Sequence, residues 1–351
     1  MQRRYLDAMA LVQRYGKPDI FLTMTCNPDW QEIRDELLPG QTAQDRPDLV
    51  ARVFRAKLED LKKHVIKGKL FGDVAAHVYV IEFQKRGLPH AHMLIILSSG
   101  SKITNPDQYD NIVYAEIPDP KKYPELHKLV LNHMIHGPCG HLRKTSPCMR
   151  DGKCRFDYPK MFNETTVQGN DSYPVYRRRD NGCSVKVRNC DMDNRWVAPY
   201  NPHLLMRYNC HINVEICSSI KAVKYLFKYI YKGHDRAEVH VGNGEDNTPV
   251  DEIKMFQDAR WVSPPEAAWR IFGFNLSEIR PSVRSLQLHV ADKQLVCYNE
   301  DDNLEDVSER EKLKKTMLTA FFDANLQYPW ARYYLYREFP EHFTWDKNGK
   351  Q

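Results

Sequence analysis

The strongest constraint on the fold is a pair of apolar runs joined by a turn. Ala75–Gln84 (AAHVYVIEFQ) and His90–Leu97 (HAHMLIIL) are rich in β-branched and aliphatic residues. Lys85-Arg86-Gly87-Leu88-Pro89 separates them and reads as the turn of an antiparallel hairpin. A hairpin this apolar needs further strands and a helical layer to cover it. Asp19–Thr25 (DIFLTMT) supplies a short buried strand, stopped at Asn27-Pro28, where Asn27 is placed to cap a helix with Pro28 at its first position. Asp48–Ile66 carries Val50, Val53, Phe54, Leu58, Leu61 and Val65 at helical spacing. His211–Cys217 reads as another strand, followed by a helix from about Ser218 to Tyr231 that Gly233 ends. A later helix is expected at Leu313–Phe322. The pattern predicts an α+β protein with a central antiparallel β-sheet and flanking helices.

Two further regions differ from this core. Pro106 to Lys122 is loop-rich, and Gly137 to Pro174 is a Cys-, Gly- and Pro-rich insert. The expected organisation is a core part at 1–130, a basic Cys/His-rich insert at 131–200, a strand and helix at 201–235 completing the core, and a C-terminal accessory extension at 236–351. The N-terminal sixteen residues have an amphipathic helical pattern without the apolar run of a secretory signal. No stretch approaches the ~20 apolar residues of a membrane span. Nine cysteines, odd in number and unevenly spaced, argue against a disulfide framework and for a reducing compartment.

Charge is unevenly distributed. His141–Lys160 has six Lys or Arg against two acids, and Tyr176–Arg188 has five against one, with Arg177, Arg178 and Arg179 in a row. Lys221–Lys232 has four lysines and no acid, whereas Glu300–Glu311 has seven acids and one Arg. A basic middle interleaved with Tyr and Phe suits single-stranded nucleic acid, with Arg86, Arg177, Arg178, Arg179, Lys224 and Lys228 as candidate contacts. A solvated charged surface is the simpler alternative.

Within the hairpin, His90 and His92 point to one face, and so do Glu82 and Gln84 on the preceding strand. Two imidazoles with a carboxylate or amide oxygen make a three-ligand site with open positions, suited to Mg²⁺ or Mn²⁺. On the expected helix after residue 218, Tyr225 and Tyr229 share a face and Lys232 lies three residues beyond, while Tyr231 points elsewhere. A phenol beside a lysine is a candidate nucleophile for phosphorus. In the insert, His136, Cys139, Cys148 and Cys154 are candidate ligands for a structural Zn²⁺, with His133 and His141 as alternative fourth ligands. Free buried thiols are the competing reading. Cys26, Cys183, Cys190, Cys210, Cys217 and Cys297 read as structural.

These runs resemble a known family. Phe21-Leu-Thr-Met-Thr25 resembles the first motif of rolling-circle replication initiators. Glu82-Phe-Gln-Lys-Arg-Gly-Leu-Pro-His90-Ala-His92 resembles their second, the histidine–hydrophobe–histidine (HUH) metal site, and Tyr225-x3-Tyr229 with Lys232 their third in its two-tyrosine form. The runs are similar to those of the Rep domain of Helitron transposons. Met134-Ile-His-Gly-Pro-Cys-Gly140, Ser146-Pro-Cys-Met149, Asp193–Pro202 and His211-Ile-Asn-Val-Glu215 extend the likeness over nearly the whole chain. The resemblance implies an HUH nuclease fold. It also implies a metal-dependent endonuclease and strand transferase that nicks single-stranded transposon ends through a 5′-phosphotyrosine. It favours Glu82 over Gln84 as third ligand, with Glu215 a more distant candidate. It implies work in the nucleus beside a superfamily-1 helicase. No G-x-x-x-x-G-K-[ST] phosphate loop occurs here, so the chain reads as an excised nuclease part or a truncated product. Two other function classes stay open: a DNA-binding module without catalysis, and a metal-dependent hydrolase that uses water.

Overall fold

The computed structural model describes residues 2–83, 87–169, 173–218, 262–290 and 315–345, with residues 293, 303, 305 and 307. The chain divides into two compact units, Met1–Pro281 and Ser282–Gln351.

In the first unit, helix α1 (Gln2–Tyr15) precedes strand β1 (Ile20–Thr25), the short α2 (Gln31–Arg34) and α3 (Pro47–Lys62). Strands β2 (Val74–Phe83) and β3 (Pro89–Leu97) form the expected hairpin. Then come α4 (Pro106–Tyr109), α5 (Pro124–His133) and two small hairpins, β4 (Met149–Arg150) with β5 (Lys153–Cys154) and β6 (Val185–Val187) with β7 (Cys190–Met192). Helix α6 (Pro202–Tyr208), β8 (Ile212–Ile216), α7 (Pro264–Ile271) and β9 (Ser277–Arg280) complete the unit. The five long strands make one antiparallel sheet in the order β8-β1-β3-β2-β9. This is the mixed α+β architecture that the alternation of strands and helices predicts.

Strand period two gives the sheet unlike faces. Ile20, Leu22, Met24, Tyr79, Ile81, Ala91, Met93, Ile95, Ile212 and Val214 belong to a core cluster shared with Leu49, Val50, Phe54, Leu58 and Leu61 of α3. Fully burying each such side chain contributes about 1.5–3 kcal/mol, so this face anchors the sheet. Pro47 opens α3, where its missing N–H costs nothing. The helix runs on into a π turn at Lys63–Lys67, closed at Gly68, where any Cβ would run into the His64 carbonyl oxygen. Among the described residues, no helix is long and apolar enough to cross a membrane.

Some local expectations shift. Asn27 does not cap a helix at Pro28. Its side-chain oxygen accepts from the Asp29 amide at 2.9 Å in a tight turn, and the helix begins only at Gln31. The fifth strand, β9, comes from beyond residue 235, in a stretch expected to be accessory. Ser277–Arg280 is short and polar, as an edge strand can be, because only one side of it is paired. In the second unit, the helix expected at Leu313–Phe322 runs instead from Met317 to Gln327 (α8), capped by Thr316, and Phe339–His342 forms a short α9.

Candidate active site and metal centres

The second face of the sheet gathers the polar side chains. Glu82 pairs with His90, and His90 with Thr25. One step along, Val80 pairs with His92, and His92 with Thr23, which in turn pairs with Asn213. Directly opposed residues project to the same face. Glu82, His90, His92, Thr23 and Thr25 therefore converge on the central strands.

Two threonines orient the histidines. Thr25 Oγ1 lies 2.9 Å from His90 Nδ1, and Thr23 Oγ1 lies 3.0 Å from His92 Nδ1. If His90 Nδ1–H donates to Thr25, its Nε2 keeps a lone pair facing away from β1, the arrangement of a metal-ligating histidine. At His92 the Nε2 faces the Glu82 carboxylate, which can only accept, so that contact needs either an Nε2–H or a shared cation. Glu82 Oε2 is 3.2 Å from His92 Nε2, and the Phe21 ring stacks on His92 with centroids 6.0 Å apart. Burial pushes the His90 pKa down to about 3, with the neighbouring His92 and His211 adding to the effect and Glu82 opposing it. A neutral imidazole is the ligating form. Two imidazoles and a carboxylate on one face of the sheet are donor types that a divalent cation takes.

The threonines carry a signal that the sequence reading did not use. Thr23 and Thr25 stand two apart in β1, as His90 and His92 do in β3, so the pairs can match across a ladder. Glu215 lies on the same face, opposite Phe21. Burial raises its pKa, with Tyr176, Asn213, Arg178 and Lys160 nearby as partners that oppose the rise. It sits among these residues, one register pair beyond the one that carries His92.

Gln84 and Arg86 lie outside the described residues, as do Lys224, Tyr225, Lys228, Tyr229, Tyr231 and Lys232.

The insert brings His136, Cys139, Cys148 and Cys154 together, with one ligand atom from each lying within 4.8 Å of the others. Among the described residues it is the one such cluster of three or more His, Cys, Asp or Glu. The β4–β5 hairpin does much of this. Its turn residues Asp151 and Gly152 both have positive φ, 52° and 76°, as a two-residue type I′ turn requires. Met149 then pairs with Cys154, and the Arg155 amide donates to the Cys148 carbonyl, so both thiols flank one short ladder. His136 is held between rings: Tyr158 stacks on it at 4.1 Å and Trp196 at 6.4 Å. Burial pulls the His136 pKa down to about 4, which keeps the imidazole neutral. Burial and the adjacent thiols push Cys139 up to about 12. At Cys154 burial also opposes ionisation, but backbone hydrogen bonds at Tyr158 and Phe156 outweigh it and lower the pKa. Three thiols and a neutral imidazole match the donor set of a tetrahedral metal site.

The arginine run behaves differently from the sequence reading. Arg178 is only 3% exposed, and its Nη1 lies within 3.1 Å of the carbonyl oxygens of Ala115, Asn194 and Val197. A guanidinium held inside the protein by three carbonyls cannot reach a phosphate, so Arg178, a DNA contact by the sequence, has a structural role instead. Arg177 pairs with Asp110 and Arg179 with Glu116, so these two positive charges are largely balanced within the protein.

No curated protein matches the chain. Residues 1–95 match the family model described as "Helitron helicase-like domain at N-terminus", a stretch that contains Thr23, Thr25, Glu82, His90 and His92 and relates the chain to Helitron proteins.

Proposed function

We propose that this chain is a Helitron-type Rep nuclease that nicks single-stranded DNA through a tyrosine and transfers the strand during rolling-circle transposition. The observation that carries the reading is the pair of same-face histidines, each bonded to a threonine of β1, with a carboxylate 3.2 Å from His92. The Helitron-family match over residues 1–95 supports a nuclease or transposase.

His90, His92 and Glu82 would hold Mg²⁺ or Mn²⁺, with Gln84 the alternative third ligand. When bound, that cation supplies polarisation of a phosphate oxygen. Thr23 and Thr25 fix the rings, so the ligand nitrogens need little reorganisation. The hydroxyl of Tyr225 or Tyr229 attacks phosphorus. The new bond joins phenol oxygen to the 5′-phosphate, the bond to the 3′ oxygen breaks, and that oxygen leaves as a hydroxyl after gaining a proton. Lys232 stabilises the phenolate by its charge. The second tyrosine serves the second cleavage of strand transfer. The expected setting is the nucleus, with a helicase partner opening the duplex.

The test is incubation with a labelled single-stranded oligonucleotide and Mn²⁺. Cleavage with a covalent protein–DNA product, abolished by EDTA, is expected. Cleaved ends without a covalent product would mean hydrolysis by water, and binding without cleavage would mean a DNA-binding module.

The second centre is proposed to hold Zn²⁺ on His136, Cys139, Cys148 and Cys154, stapling an insert whose own apolar cluster is small. Freshly purified protein should carry about one zinc per chain, as one four-ligand structural site requires. Cys148→Ser with Cys154→Ser should remove it and lower the temperature at which the insert unfolds. Metal analysis near zero in the unmodified protein would retire the site.

A further inference from the structure

We propose that the outer surface of the β4–β5 hairpin and its flanks is a binding surface for single-stranded DNA, separate from the histidine site. This rests on the reading that single-stranded DNA is the substrate.

The first observation concerns unbalanced charge. Arg143, Lys144, Arg150, Lys153 and Arg155 are all exposed, and none forms an ion pair or side-chain hydrogen bond among the described residues. Several arginines elsewhere are paired: Arg46 with Asp48, Arg179 with Glu116, Arg195 with Asp193 and Arg207 with Asp60. His141–Lys160 has six Lys or Arg against two acids, an excess of four in a chain whose whole formal net charge is +5. A Zn²⁺ on three thiolates and a neutral imidazole would subtract one charge, so the surface stays strongly positive.

The second observation is the ladder. Met149 and Cys154 turn inward, whereas Arg150 and Lys153, directly opposed at the hairpin tip, are exposed. Like charges directly opposite one another are destabilising. An anion lying between them relieves that repulsion, and a phosphodiester has the right charge and acceptors for both an arginine and a lysine.

The third observation is the aromatic ring beside them. Phe156 is 55% exposed, and the Arg155 guanidinium lies over it at 6.0 Å. Cations interleaved with an exposed ring suit a strand whose bases are unstacked and free to pack on an aromatic face. Duplex DNA buries its base faces and offers only phosphates here. The surface therefore selects single strands. The packed cluster beneath it, which Zn²⁺ would staple, fixes the positions of the cations and reduces the ordering cost of binding.

The experiment measures binding of fluorescein-labelled oligothymidylate to the full chain by anisotropy, in buffer without added Mg²⁺, across a salt series. Arg150→Glu with Lys153→Glu and Arg155→Glu should weaken binding at least about tenfold. Arg150→Gln with Lys153→Gln should lower the salt slope by about one to two, near 0.7 for each lost single-strand phosphate contact. Phe156→Ala should weaken binding about tenfold with little change in slope, because stacking releases few counterions. Zinc content should match the unmodified protein in all three, and each should still unfold in a single thermal transition. Unchanged affinity and slope in folded, zinc-loaded variants would overturn this surface and leave the nuclease reading standing. Equal or tighter binding of a duplex or of oligouridylate would overturn the preference for single-stranded DNA. No binding of any single strand by the unmodified protein would overturn the parent reading as well.

Discussion

His90→Ala and His92→Ala are each expected to reduce DNA cleavage by about a thousandfold or more, because a ligated cation supplies several kcal/mol of transition-state charge stabilisation. Single-strand affinity should move by no more than about threefold, since phosphate contacts by Lys and Arg dominate it. The two effects separate because the histidines would hold a cation on the central sheet, whereas the unpaired Lys and Arg lie on the insert. Thr25→Val should have a smaller effect on cleavage, about tenfold, because it removes only the hydrogen bond that orients His90. Added Mn²⁺ should partly restore Thr25→Val and not His90→Ala. Thermal unfolding provides the control, because both imidazoles are buried. Equal losses of binding and cleavage in a folded His90→Ala protein would make the pair a structural feature.

Tyr225→Phe with Tyr229→Phe should remove all covalent protein–DNA product. Phenylalanine keeps the ring and lacks the nucleophilic oxygen. The single variants should differ. On the helix that the sequence predicts there, tyrosines four residues apart would lie about 6 Å apart along the axis, so one at a time would stand in line with a scissile phosphate. Tyr229, nearer Lys232 in sequence, is expected to dominate nicking of a simple oligonucleotide, and Tyr225 to matter mainly for strand transfer. Tyr231→Phe should leave the product unchanged. A covalent product that survives in the double variant and is lost with Tyr231→Phe would move the nucleophile to Tyr231.

The parts of the fold legible in the sequence are those with strong periodicity. The β2–β3 hairpin and α3 follow from apolar spacing, and β1 and β8 from short apolar runs at segment ends. Strand β9 was not legible, because SEIR has no apolar alternation and is held by its neighbour's backbone. The facing of Glu82 and His90 followed from the hairpin, but Thr23 and Thr25 did not. Their role appears only when β1 is laid against β3, a pairing between segments some 65 residues apart. Arg178 was misread for a related reason. A run of three arginines reads as a surface, and only the folded chain reveals three carbonyl oxygens around the middle one. The insert ligands were legible by residue type. Their convergence depends on a type I′ turn and on the rings of Tyr158 and Trp196 that hold His136.

The most direct test of the central claim is to trap the protein on a 3′-labelled single-stranded oligonucleotide carrying a transposon end, with Mn²⁺ present, and to map the modified peptide by mass spectrometry. The account predicts a nucleotide attached through a 5′-phosphate to Tyr229 or Tyr225, absent with EDTA and absent in His92→Ala. Cleaved DNA with no modified peptide, or attachment to any residue other than these two tyrosines, would contradict it.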